Sequence, residues 1–216
     1  MKKNKFLTVI LITSLFVTSC AVNQKVDYNN LKMDLFNVKS ESLNIALLDH
    51  REAVIDGSRK ANFTGYMRSN VGIAYPISTK TGNDFINEIS NNIIKSLNKF
   101  NVKAFNIPSK YSEDENSVKE KLLQTKGDKK MLLTFNELHT DGYAIQVLHY
   151  DFDISVFDKN NELIAYKKFQ DKRKLGGTVA FGAGPYKRYM PEAVTKLFED
   201  IFNDPEILNA LNNTNS

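Results

Sequence analysis

The chain has 216 residues, 42% of them hydrophobic, 25% charged and 11% aromatic, with 10 Gly, 5 Pro and a single Cys. That length suits one domain whose core needs no staples, and the composition excludes collagen-like, disulfide-dense and wholly disordered chains. The net charge of +4 falls to +1 once Lys2, Lys3 and Lys5 leave with the leader described next, which removes the case for nucleic acid.

Residues 1–20 read MKKNKFLTVILITSLFVTSC. Three lysines precede an uncharged, mostly apolar stretch over residues 6–17, the pattern of a secretory signal. Twelve helical residues span about 18 Å, too short for a hydrocarbon core of about 30 Å. The stretch ends in Val17-Thr18-Ser19-Cys20, which resembles the bacterial lipobox. The resemblance implies a diacylglycerol thioether on Cys20, cleavage after Ser19 and acylation of the new amino terminus. Acyl chains contribute about 0.8 kcal/mol per buried CH₂, so two or more make a stable anchor. Ala21 follows the cysteine, which resembles lipoproteins passed to the outer membrane. In a Gram-positive source the same anchor would sit on the outer face of the plasma membrane.

Residues 20–42 are polar and read as a lipidated tether, reaching at most about 75 Å when extended. Leu31, Met33 and Leu35 alternate with polar residues, as an added edge strand would. Residues 43–49 (LNIALLD) form a short apolar run, the mark of a strand buried on both faces. A long segment, 57–80, carries Phe63, Tyr66, Tyr75 and Ile77 with Arg59, Lys60 and Arg68. It reads equally as a small hairpin or as a binding loop. Thr81 and Asp84 then open a helix with Ile86, Ile89, Ile93, Leu97 and Phe100 on one face.

A strand is predicted at 102–107, and a weaker helix follows Ser112-x-x-Glu115. Strands at 130–140 and 143–157 flank Asp141-Gly142, and another covers 162–170 after Asn160-Asn161. A closing helix starts at Pro191-Glu192, and Asp204-Pro205 begins a short terminal one. The fold class is therefore α/β: a single two-layer domain over 43–212, with a mixed β-sheet in the order β-α-β-α-β-β-β-α and helices on one face. It follows a signal peptide (1–19) and the tether (20–42), and residues 213–216 form a disordered tail.

A two-residue turn at Asp141-Gly142 sets Thr140 opposite Tyr143, and so Phe135 opposite Leu148. A second such turn pairs Phe152 with Phe169 and Val156 with Ala165. Met131, Leu133, Phe135, Leu148, Tyr150, Phe152, Ile154, Val156 and Phe169 then share the core face. In that register His139 points to the Phe135 side and His149 to the other, so the two cannot share an ion. No metal site, nucleophile motif or cofactor fingerprint is predicted. The glycine-rich stretch 174–187 lacks both the P-loop and the dinucleotide pattern.

The lipobox, the buried first strand, the helix, the meander and the closing Pro-Glu-Ala-Val-x-x-x-Phe-x-Asp-x-Phe-x-Asp stretch (191–204) together resemble the YajG-like bacterial lipoproteins. That resemblance implies an envelope location and this fold, and no activity. The function expected is that of a non-catalytic accessory or binding domain, anchored to the membrane and serving an envelope protein complex. It is placed at the outer membrane facing the periplasm. A carrier of an apolar ligand would instead need a cavity lined by Phe85, Ile89, Phe135 and Phe152. A cell-wall hydrolase would need a nucleophile or metal beside a base. The carboxyl ends of the parallel strands gather 51–82, 107–112 and 171–188 at one edge. Arg68, Tyr75, Phe181, Tyr186 and Arg188 are expected to form a partner-binding surface there, facing away from the membrane.

Overall fold

The computed structural model describes residues 24–69, 71–142, 145–178 and 184–213. Cys20 and Phe181 lie outside the described residues, as do residues 214–216. In chain order the elements are β1 (Lys25–Val26), β2 (Ser42–Asp49), α1 (Glu52–Ile55), β3 (Phe63–Arg68), β4 (Ala74–Thr79) and α2 (Phe85–Lys99). There follow β5 (Lys103–Ile107), α3 (Glu115–Leu123), β6 (Lys129–Asp141), β7 (Ile145–Phe157), β8 (Leu163–Thr178), α4 (Gly184–Phe202) and α5 (Pro205–Asn212).

The mixed sheet branches at β6. Along one of its edges β6 pairs with β7, which pairs with β8, both antiparallel. Along the other, its first half pairs in parallel with β2 and its end touches β3 at Gly65–Thr140. β5 extends the sheet beyond β2, while β4 and then β1 extend it beyond β3. Gly65 (φ +148°) is required at the fork, because a Cβ there would overlap the Thr140 backbone. The segment 57–80 is thus a hairpin that widens the sheet.

The odd residues of β2 and of the first half of β6 (Leu43, Ile45, Leu47; Met131, Leu133, Phe135) join the main core under α2, α4 and α5. Burying each such side chain contributes about 1.5–3 kcal/mol. The helical layer is the expected one, with one addition. On the opposite face Ala46, Leu48, Leu132 and Phe157 bury against Val118 and Leu122 of α3. The alternation Leu47–Leu48 and Leu132–Leu133 feeds both cores, as fits a strand covered on two sides.

Three expectations are corrected. First, 24–42 is not a tether: Val26, Tyr28, Leu31, Met33, Leu35 and Val38 are buried. The alternating apolar residues lie over the helices without joining the sheet, and α4 and α5 satisfy the backbone. Asp34 N donates to Glu199 Oε1 (2.9 Å) and Lys39 N to Asn212 Oδ1 (2.8 Å). Second, a strand that was not expected, β1, precedes β2, so the described chain first joins the sheet beside β4 rather than at β2. β1 runs parallel to β4, and β4 runs antiparallel to β3, so the amino-terminal end of β1 is directed toward the β3–β4 tip. Third, the closing helix begins at Gly184, with Pro191 inside it, so Tyr186 and Met190 extend the buried stripe of Val194, Leu197 and Phe198.

Candidate functional site

The β7–β8 register is the expected one, with Phe152 opposite Phe169 and Val156 opposite Ala165. The β6–β7 register is not. Phe135 pairs with Phe152, and a bulge follows, so that Glu137 pairs with Asp151 and His139 with His149. The shift from Leu148 to Phe152 is an even number of residues and leaves the core face unchanged. The bulge adds one residue at Asn136 and inverts the faces beyond it. Leu138 and Thr140 therefore turn inward and are fully buried, while Glu137 and His139 turn to the face that carries His149. The expectation that the two histidines point to opposite sides is overturned, and with it the argument that they cannot share an ion.

The outer face holds the bulge in place. Asn136 Nδ2 donates to Asp153 Oδ2 (2.6 Å), Tyr166 Oη donates to Asp153 Oδ1 (2.6 Å), and Lys168 pairs with Asp151 (3.0 Å). Next to this network the rings of His139 and His149 stack, 5.1 Å between centroids and 5° from parallel. Glu137 Oε1 lies 3.6 Å from His139 Nδ1 and 3.7 Å from His149 Nδ1. Ligand atoms of the three residues all fall within 4.8 Å of one another. Burial pushes the His139 imidazole below the usual histidine range, opposed in part by the Glu137 carboxylate. Phe63 and Tyr66 of β3 each approach His139 with centroids 6.5 Å apart.

A cleft of about 420 Å³ opens beside the cluster, lined by Arg51, Glu52, Phe63, Asn136 and Asp151 among others. Arg51, a charged residue leaving a buried strand, is 4% exposed. It fills the fork in the sheet, where its guanidinium grips Asp49 through two 2.7 Å bonds. It also donates to the carbonyls of Phe63, Ala61 and Leu138 at 2.7, 3.1 and 3.3 Å. Every donor of the buried cation is thereby used, and β3 is fixed over the histidines.

The described residues among those expected to bind a partner take different roles. Arg68 makes a two-pronged pair with Asp141, Nε–Oδ1 2.7 Å and Nη2–Oδ2 2.6 Å, tying the two hairpins together. Tyr75 is half-buried opposite Met67. Tyr186 is 3% exposed, and its hydroxyl meets Thr140 Oγ1 at 2.5 Å. It is a core residue and is withdrawn from the binding surface. Arg188 is exposed and stacks over Tyr189, 4.6 Å from the ring centroid.

Phe85, Ile89, Phe135 and Phe152 are fully buried, and the last two rings pack 4.8 Å apart, so the surface a carrier would need there is filled. An open groove of about 760 Å³ lies elsewhere, between the 30–36 segment and the end of α2.

A regular strand would keep Glu137 and His139 on the face opposite His149, and the bulge brings the three together. The signal was present: the apolar phase jumps from odd positions (131, 133, 135) to an even one (138) across Asn136, the mark of one inserted residue.

The chain is thus an α/β protein with a branched mixed sheet. No family model matches it, and no curated protein does. Its fold is similar to that of a Xanthomonas campestris protein assigned to the DUF330 family model, with 11% identity over 88% of this chain and 94% of that one and a TM-score of 0.53. The lipoprotein GNA1162 from Neisseria meningitidis aligns over 75% of this chain and 95% of its own at 11% identity, with a TM-score of 0.32. At 11% identity the likeness to the Xanthomonas protein is one of fold alone. Among the described residues no helix is long and apolar enough to cross a membrane.

Proposed function

We propose that this is a lipid-anchored cell-envelope lipoprotein, acylated at Cys20, whose non-catalytic domain is held close against its membrane. The observation that carries the reading is the distance between the lipobox and the fold. Lys25, the first residue of β1, lies five residues after Cys20, a reach of at most about 18 Å. The amino-terminal end of β1 is directed to the edge where the β3–β4 hairpin turns, and that edge exposes Val71 (80%), Ile73 (54%) and Ile145 (48%). Exposed apolar tips beside an acyl anchor suit a bilayer surface. In this reading the edge faces the membrane, the reverse of the orientation expected from a long tether. An envelope complex seated in the same membrane would meet Tyr75 and Arg188 there. Outer-membrane placement and a kinship with YajG-like lipoproteins belong to the same proposal and rest on Ala21 and the element order.

The test is Cys20→Ser, followed by membrane fractionation and metabolic labelling with a fatty acid. Loss of the label and of processing supports the reading. Unchanged processing and membrane retention would overturn it.

A further inference from the structure

We propose that Glu137, His139 and His149 form a binding site for a divalent transition ion of the zinc class, clasping β6 to β7. The site goes beyond the lipoprotein reading and does not depend on acylation.

The geometry is poor for hydrogen bonding and near what an ion needs. Glu137 Oε1 stands 3.6 and 3.7 Å from the two Nδ1 atoms, beyond the range of an N–H···O bond. Ligands bonded at about 2.0–2.1 Å in a tetrahedron stand about 3.3 Å apart, so the two Glu137 distances need to close by only a few tenths of an ångström, while the stacked imidazoles turn to aim their nitrogens at one ion, from a starting point where the three ligand atoms already lie within 4.8 Å. Two imidazoles and one carboxylate suit zinc, cobalt, nickel or copper, whereas calcium and magnesium prefer sites made of oxygen.

The backbone supports the same conclusion. Glu137 and His139 sit two apart on one strand, and His149 stands opposite His139, so three ligand atoms converge from a rigid ladder rather than from loops. That convergence exists only because of the bulge, and bulges commonly re-aim side chains beside functional sites. The remaining coordination positions open to the cleft and to solvent, since the three side chains are 20–37% exposed. Asp151, the neighbouring carboxylate on β7, is committed to Lys168, so the site is that of a binding centre.

The test is a Co²⁺ titration of the full-length protein in detergent, followed by absorbance and by displacement with Zn²⁺. One ion per chain is expected, with His139→Gln and His149→Gln each weakening binding by at least the ~10–100-fold typical of losing a supporting group. Glu137→Gln should weaken it while leaving both imidazoles in place. His50→Gln, the third histidine of the chain, should change nothing. The Cys20→Ser protein should titrate like its parent, whatever becomes of the anchor, and thermal melts without metal report whether each variant is folded. No saturable binding by the folded parent, or full affinity in the folded His139→Gln/His149→Gln double variant, would overturn the proposal.

Discussion

His139 and His149 face each other across the β6–β7 ladder, their rings 5.1 Å apart and 5° from parallel. They meet because one residue, Asn136, is extra: Phe135 pairs with Phe152, yet Glu137 already pairs with Asp151. Everything beyond that point on β6 is turned over relative to a regular strand.

This makes an unusual deletion tolerable. Removing Asn136 takes out the residue in excess, restores a continuous ladder and leaves residues 137–141 on their present faces. Stability should change by about 1 kcal/mol, the net worth of the lost Asn136–Asp153 bond, and the histidines should stay paired. Deleting Thr134, two positions earlier, should instead put Phe135 or the strand before it on the wrong face and unfold the protein. Urea unfolding of the two deletions distinguishes them; equal damage from both would show the bulge to be essential or misplaced.

Glu88 of α2 gives a pH dependence. It is 2% exposed, Oε1 accepts from Thr81, and Oε2 has no hydrogen-bond partner among the described residues. Burial raises its carboxyl above the ordinary 4.5. The protonated form is favoured in the fold, so its contribution is complete below 4.5 and is lost as pH rises through the raised value. Glu88→Gln should match the parent near pH 4 and unfold at a higher urea concentration than the parent near pH 8. A constant difference at both pH values would count against the assignment.

Tyr186 and Arg188 are two residues apart and should respond oppositely. Tyr186→Ala removes a buried ring and orphans Thr140, a loss of about 3–5 kcal/mol. Arg188→Ala touches an exposed side chain and should stay within about 0.5 kcal/mol of the parent. Thermal denaturation measures both, and a mild Tyr186→Ala would return that residue to the surface.

The proposed orientation at the membrane can be read with a single label, because acylation at Cys20 would consume the chain's one cysteine. In acylated protein reconstituted into phosphatidylethanolamine–phosphatidylglycerol vesicles, an environment-sensitive dye on Val71→Cys should shift to the blue and be quenched by brominated lipid. The same dye on Asn160→Cys, in the β7–β8 turn at the far end, should remain in water. If protein retained on the vesicles leaves both dyes in water, the orientation fails while the anchor stands.

Much was legible in the sequence because it depends on local chemistry. The proposed acylation signal rests on Val17-Thr18-Ser19-Cys20 alone, without reference to any fold. The apolar positions of 43–49, 86–97 and 131–156 set the core face, since burial rewards a fixed period of 2 or 3.6 residues. The Phe152–Phe169 register followed from a short turn. What the tertiary structure decided were the places where contacts between distant residues override the local reading. Leu31, Met33 and Leu35 looked like part of a tether, yet helices more than 150 residues away satisfy that backbone and cover those side chains. Arg51 looked solvated, but three carbonyls and Asp49 converge on it at a fork that exists only once β3 meets β6. Glu137, His139 and His149 became one site through a single bulged residue, anchored by Asp153 from the facing strand. A period of two residues carries no error correction, so one inserted residue reverses every side chain beyond it, and only the partner strand fixes where that insertion falls.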